Sequence, residues 1–127
     1  MAWVDAVLML ALIEFFGFAI MVGRARGLHG VHAPAMSGHP VVERWLRVQG
    51  NTLELLILFI PGAWAAARYW KPEYVAILGL VFVIGRLVYA VGYVSAPAKR
   101  SMGFLLSIAP IGLLVLGALV GALRSLL

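Results

Sequence analysis

Polar residues interrupt this chain at only a few places, and the intervals between them set its architecture. Long apolar runs occupy roughly residues 2–23, 45–67, 74–96 and 102–123, and each can form a helix of about 20 residues, the length that crosses the hydrocarbon core of a bilayer. The joins carry the punctuation. The stretch "RARGLHGVHAPAMSGHPVVER" is polar, glycine-rich and proline-containing; "RYWKPE" offers Pro72 as a helix start; "SAPAKR" places Pro97 near the end of the third run. The pattern predicts an all-α integral membrane four-helix bundle, with residues 1–127 as one domain.

Composition agrees. Of 127 residues, 64% are hydrophobic and 12% charged, against about 25% charged in a soluble domain. The chain has no cysteine, so a thiolate metal site is excluded and any sulfur nucleophile must come from a ligand. The net charge of +5 reports topology and anionic lipid on such a protein, and no basic face on a polar domain suggests a nucleic-acid partner. No Lys or Arg precedes Arg24, so the first run is expected to be a retained span, not a signal peptide. Four spans place both termini on one side. Loops one and three then hold Arg24, Arg26, Arg44, Arg47, Lys99 and Arg100, against Arg68, Lys71 and Arg124 opposite, and the positive-inside rule puts loops one and three in the cytoplasm. Gly117 and Gly121 form a GxxxG spacing that suits close packing.

The polar residues inside the spans converge on one depth. Counted from the cytoplasmic ends at about 1.5 Å per residue, Glu14, Glu54 and Arg86 lie at about 13, 13 and 15 Å. Arg47, Asn51 and Glu54 fall at i, i+4 and i+7, one helical stripe, with Gln49 off it. Arg86, Tyr89 and Tyr93 repeat the spacing on span three, and Arg100 continues that face if the helix survives Pro97. Facing lipid would cost these groups several kcal/mol each, so they are expected to face protein or a wet cavity. Glu54 or Glu14 paired with Arg86 would serve as scaffold. The full set holds more donors than the carboxylates can neutralise, which points to an anionic ligand. His29, His32 and His39 match no metal spacing and read as solvated loop residues, so no metal site is predicted. Trp3, Trp45, Trp64 and Trp70 read as an interfacial belt, and Arg44 and Lys99 as cytoplasmic anchors.

Two motifs at this separation carry a resemblance. "VERWLRVQGNTLE" and "GRLVYAVGYVSAPAKR" resemble the "FERxxRxQxNxxE" and "GRxxYxxGYxxxPxxR" signatures of the MAPEG family, the membrane-associated proteins in eicosanoid and glutathione metabolism. "GRARGLHGVHAPAMSG" is similar to the first loop of its bacterial members. The resemblance covers roughly residues 23 to 102. It implies a homotrimer of four-helix subunits, with glutathione bound between neighbours near the cytoplasmic face. It assigns Arg26, Arg47, Gln49, Asn51, Glu54, Tyr89 and Tyr93 to glutathione and gives Arg100 the activation of its thiolate. One departure is Leu55, where the leukotriene-forming member has a tyrosine.

Glutathione suits these residues chemically. Arg26 and Arg47 can hold its carboxylates by forked hydrogen bonds, Glu54 its ammonium, and Asn51 and the tyrosines its orientation. A fixed cation such as Arg100 lowers the thiol pKa from about 8.5. The expected function is a glutathione-dependent membrane transferase acting on a hydrophobic electrophile, or reducing a lipid hydroperoxide, in a bacterial inner membrane. A non-catalytic lipid-binding or scaffold protein of the same fold is the alternative. A proton-coupled drug exporter, suggested by Glu14 in span one, suits the long basic first loop and Arg86 poorly.

Overall fold

A computed structural model describes all residues, Met1–Leu127. Four helices, α1 (Ala2–His29), α2 (Pro40–Ala66), α3 (Pro72–Ser95) and α4 (Ser101–Leu126), run up and down the bundle, and a 3₁₀ turn, Pro97–Arg100, leads into α4. Helices α1, α3 and α4 are long and apolar enough to cross a membrane. Helix α2 has the length, with 27 residues, but its first half carries Glu43, Arg44, Arg47, Gln49 and Asn51. Its polarity is turned partly inward, where Asn51 and Thr52 are buried.

The first connection is shorter than its composition suggests. Helix α1 continues past the apolar run to His29, so Arg24 and Arg26 are helical; Gly30 ends it in the left-handed conformation (φ 65°), its N–H donating to the Arg26 carbonyl. Helix α2 starts at Pro40, whose ring presets helical φ, and His39 caps it, Nδ1 accepting from the Val41 N–H at 3.2 Å. The rings of His29 and His39 stack at 3.6 Å. These two histidines therefore have structural positions, and only His32 sits in the loop as the composition suggests. Helix α3 stops at Ser95 because Pro97 follows.

Apolar packing is divided by depth. The larger core joins Val4, Leu8, Phe59, Phe82 and Leu114 from all four helices, with Phe59 and Phe82 stacked at 4.1 Å. At the other end lies a smaller cluster of Phe18, Val48, Tyr89 and Ala90. Between them is a layer of buried polar side chains, Asn51, Thr52, Arg86 and Ser107. Many large apolar residues point outward, among them Ile13, Phe16, Ile57, Ile77, Val91 and Leu116, as an apolar solvent or a neighbouring subunit requires.

Backbone contact between α3 and α4 fixes this layer. A Cβ on Gly85 would stand 2.7 Å from the Leu106 carbonyl carbon, and one on Gly103 would run into the backbone N and Cα of Tyr89. The two helices therefore touch main chain to main chain, which brings Ser107 beside Arg86. The Gly117/Gly121 spacing packs as expected, but against the α2–α3 turn: Gly121 accommodates Tyr69, and the Gly117 carbonyl accepts from Trp70 Nε1 at 2.8 Å.

Two alanine variants test the contact. Gly103→Ala should destabilise the protein by about 2 kcal/mol or more, since the backbones must separate. Gly112→Ala, with nothing within 4 Å of the new methyl, should be neutral or stabilise by up to about 1 kcal/mol. Thermal unfolding in detergent compares them, and equal midpoints would refute the close approach.

Candidate functional site

Arg86 is the centre of the polar layer. It is 0% exposed, and its donors are shared among helices. Nε donates to Ser107 Oγ of α4 at 2.9 Å, while Nη1 donates to Asn51 Oδ1 at 2.7 Å and Thr52 Oγ1 at 3.3 Å, both on α2. Ser107 Oγ–H in turn donates to the Gly103 carbonyl at 2.6 Å. The guanidinium also lies over the Tyr89 ring, 4.2 Å from its centroid, a favourable cation–π contact. Nη2 has no partner, and neither does either Glu14 oxygen.

Arg86 has donors only, so the atom of Asn51 that faces it must be the amide oxygen. That leaves the Asn51 NH₂ to serve a cavity of about 390 Å³ lined by Arg47, Asn51, Tyr89, Arg100, Ser101 and Phe104. Two guanidinia, an amide NH₂ and two hydroxyls line this space, and no carboxylate does. Such a lining stabilises a bound anion, most of all where neighbouring apolar walls lower the dielectric. Phe104 supplies one such wall.

Four of the residues singled out from the sequence, Arg47, Asn51, Tyr89 and Arg100, thus meet at one cavity. Arg100 arrives by a different route from the one expected. Helix α3 does not survive Pro97, and the 3₁₀ turn brings Arg100 back over the cavity from the start of α4. Tyr93 stacks on Tyr89 at 5.6 Å, just outside the lining. The other three do not line it. Gln49 is half-buried on α2 and Glu54 exposed, while Arg26 Nη1 donates to the Ala35 carbonyl at 2.5 Å and lies 3.5 Å from that of Val31, pinning the first loop. The pairing of Glu54 with Arg86 does not form; Arg86 bonds neutral side chains instead. Glu14 lines an apolar groove with Leu10, Ile13, Phe18 and Leu87. Leu55 is buried in the core.

The structure adds Ser101 and Phe104 to the cavity and Thr52 and Ser107 to the network. Ser107 had one legible signal, as a hydroxyl within an otherwise apolar run, four residues after Gly103. Ser101 and Phe104 had none, since neither residue type stands out at a helix start.

The profile of the MAPEG family matches residues 4–120. An uncharacterized protein of the cyanobacterium Synechocystis sp. is 45% identical over 98% of this chain and 90% of its own length. Microsomal glutathione S-transferase 2 of Homo sapiens is 42% identical over 84% of this chain and 70% of its own length. Leukotriene C4 synthase of Cavia porcellus is 35% identical over 87% and 83% respectively.

Removing the central guanidinium should leave three buried acceptors unserved. Arg86→Met is expected to lose about 3 kcal/mol or more, because hydrogen bonds to a charged group are worth about 1.5–3 kcal/mol each. Arg86→Lys should fall between, since one ammonium cannot span Ser107 and Asn51 with the same fork. Chemical unfolding in detergent reads both; a methionine variant as stable as wild type would show the network to be dispensable.

Proposed function

The chain belongs to the MAPEG family, and on that premise we propose that it is a glutathione-dependent transferase of the membrane, working as a homotrimer on hydrophobic electrophiles. The observation that carries this reading is the cavity in which Arg47 and Arg100 flank Asn51 and Tyr89 with no acid in the lining. Glutathione brings two carboxylates and an ionisable thiol, which is what such a lining can hold. The named activities of the two transferring relatives support the same chemistry at the level of the family.

The roles are those the resemblance implies, and the cavity lining supports them. Arg47 takes a glutathione carboxylate by forked hydrogen bonds. The Asn51 NH₂ and the Tyr89 hydroxyl orient the peptide, with Tyr93 behind Tyr89. Arg100 stands beside the sulfur and stabilises the thiolate, since arginine keeps its charge at every working pH. Arg26, Gln49 and Glu54 lie outside the cavity of a single subunit; a site shared between neighbours lets such residues complete it, Glu54 taking the ammonium.

In transfer, the thiolate attacks the electrophilic carbon, a C–S bond forms, and the displaced group leaves with the electron pair. A lipid hydroperoxide is reduced by the same thiolate. The sulfur attacks the peroxide, the O–O bond breaks, and one oxygen leaves as the lipid alcohol. A second glutathione converts the resulting sulfenic acid to disulfide and water. Both substrates reach the site from the bilayer, and membrane lipid surrounds the outer helical faces. The exporter reading rested on Glu14, which lies in a separate groove.

Glutathione binding, the ultraviolet absorbance of its thiolate, and turnover of a hydrophobic electrophile test the proposal on detergent-purified protein. Wild type should show all three. Arg47→Ala should weaken binding by about 10-fold or more as a charge-assisted contact is lost. Arg100→Ala should keep binding but lose the thiolate signal and about 100-fold in turnover. Tight binding with no turnover of electrophile or peroxide would defeat the enzyme reading, and no binding at millimolar glutathione would favour the lipid-binding alternative.

A further inference from the structure

The last turn of any helix leaves carbonyls without intrahelical partners. Helix α3 has no basic residue of its own there. The missing donor comes from α2: Arg44 Nη1 donates to the Val94 carbonyl at 3.0 Å and lies 3.4 Å from that of Ser95. A cation at this end of a helix is also favoured by the helix dipole. Arg44 is therefore more than the surface anchor its place in the sequence suggests.

Its position relative to the cavity gives this contact a consequence. Arg44 precedes Arg47 by three residues, so both project from neighbouring positions on one face of α2. From Ser95 the chain turns sharply: the Ala96 N–H donates to the Gly92 carbonyl at 2.9 Å, the Lys99 N–H to that of Ala96 at 2.9 Å, and a Cβ on Gly92 would lie 2.6 Å from the Lys99 carbonyl oxygen. This tight corner leaves little slack between the carbonyls Arg44 holds and Arg100, which lines the cavity with Arg47.

We propose that Arg44 is a positioning residue for Arg100. By tying the end of α3 to the first turns of α2, it sets the separation of Arg47 and Arg100 across the cavity. Its consequence for catalysis rests on the transferase reading above: the clamp holds Arg100 where the glutathione sulfur ionises. Arg44 touches no substrate, so its loss acts on ionisation more than on capture of glutathione.

The experiment uses the full chain in detergent, with Arg44→Ala and Arg44→Lys, and two readouts. Amide hydrogen exchange over residues 95–101 reads the clamp without any ligand. It should quicken by about 10-fold in Arg44→Ala as local opening becomes easier, with the α2 core unchanged. The pH midpoint of the glutathione thiolate absorbance reads the consequence. In Arg44→Ala it should rise by about one unit towards the free-thiol value near 8.5. Turnover number should fall about 10-fold while KM for glutathione stays within about 3-fold. Lysine can still donate to the carbonyls and should restore most of both signals. Arg44→Met, which keeps the apolar stem but no donor, replaces alanine if that variant does not fold, with the same losses expected. Unchanged exchange at 95–101 overturns the clamp, and faster exchange with an unmoved thiolate midpoint overturns the positioning role. A wild type without a thiolate signal counts against the transferase reading alone, and the exchange arm still decides whether Arg44 holds the corner.

Discussion

A guanidinium fully removed from solvent inside an apolar bundle cannot be left to itself. Desolvation would cost several kcal/mol, so the surrounding helices have to supply acceptors, and they can do so only at fixed places. Around Arg86, α2 supplies Asn51 and Thr52 and α4 supplies Ser107. The approach of α4 is possible because Gly85 and Gly103 let two backbones touch. The polar layer thus sets the registers of three helices at once, while the Phe59–Phe82 core fills the space on one side of it.

The same constraint shapes the chemistry next door. Asn51 spends its oxygen on Arg86, so what remains for the cavity is a donor. Tyr89 lends its ring to the guanidinium while its side chain still lines the cavity. The donor-rich lining of the cavity is then a result of burying a cation beside it, and not only of the two arginines in that lining. Structural and functional readings of Arg86 therefore coincide, although Arg86 does not line the cavity itself.

What could be seen from sequence followed the helical period. The stripe of Arg47 and Asn51 on one helix and of Arg86, Tyr89 and Tyr93 on another is a local property, and Arg47, Asn51 and Tyr89 from it line one cavity. Glu54 shares the stripe by spacing yet stands exposed, because a stripe about 100° wide has edges as well as a centre. Features that depend on where another helix ends were not visible. Arg44 became a cap only because the end of α3 lies beside it, and Arg100 returned to the cavity through a turn rather than along a continued helix. His39 became a helix cap because Pro40 begins α2 ahead of the apolar run. The contribution of α4 to the cavity was hidden for a simpler reason, since Ser101 and Phe104 at a helix start announce nothing.

Arg86, by holding the Asn51 oxygen, turns the Asn51 donor toward the cavity. Glutathione affinity of Asn51→Asp against wild type tests this most directly. The aspartate can still accept from Arg86, and as a buried ion pair should keep the fold, but it removes the donor and places negative charge at the cavity. Binding should weaken by about 10-fold or more, the scale of a lost hydrogen bond plus like-charge repulsion, with an unfolding midpoint no lower than wild type. An aspartate variant that binds glutathione as tightly as wild type would contradict this role of Asn51.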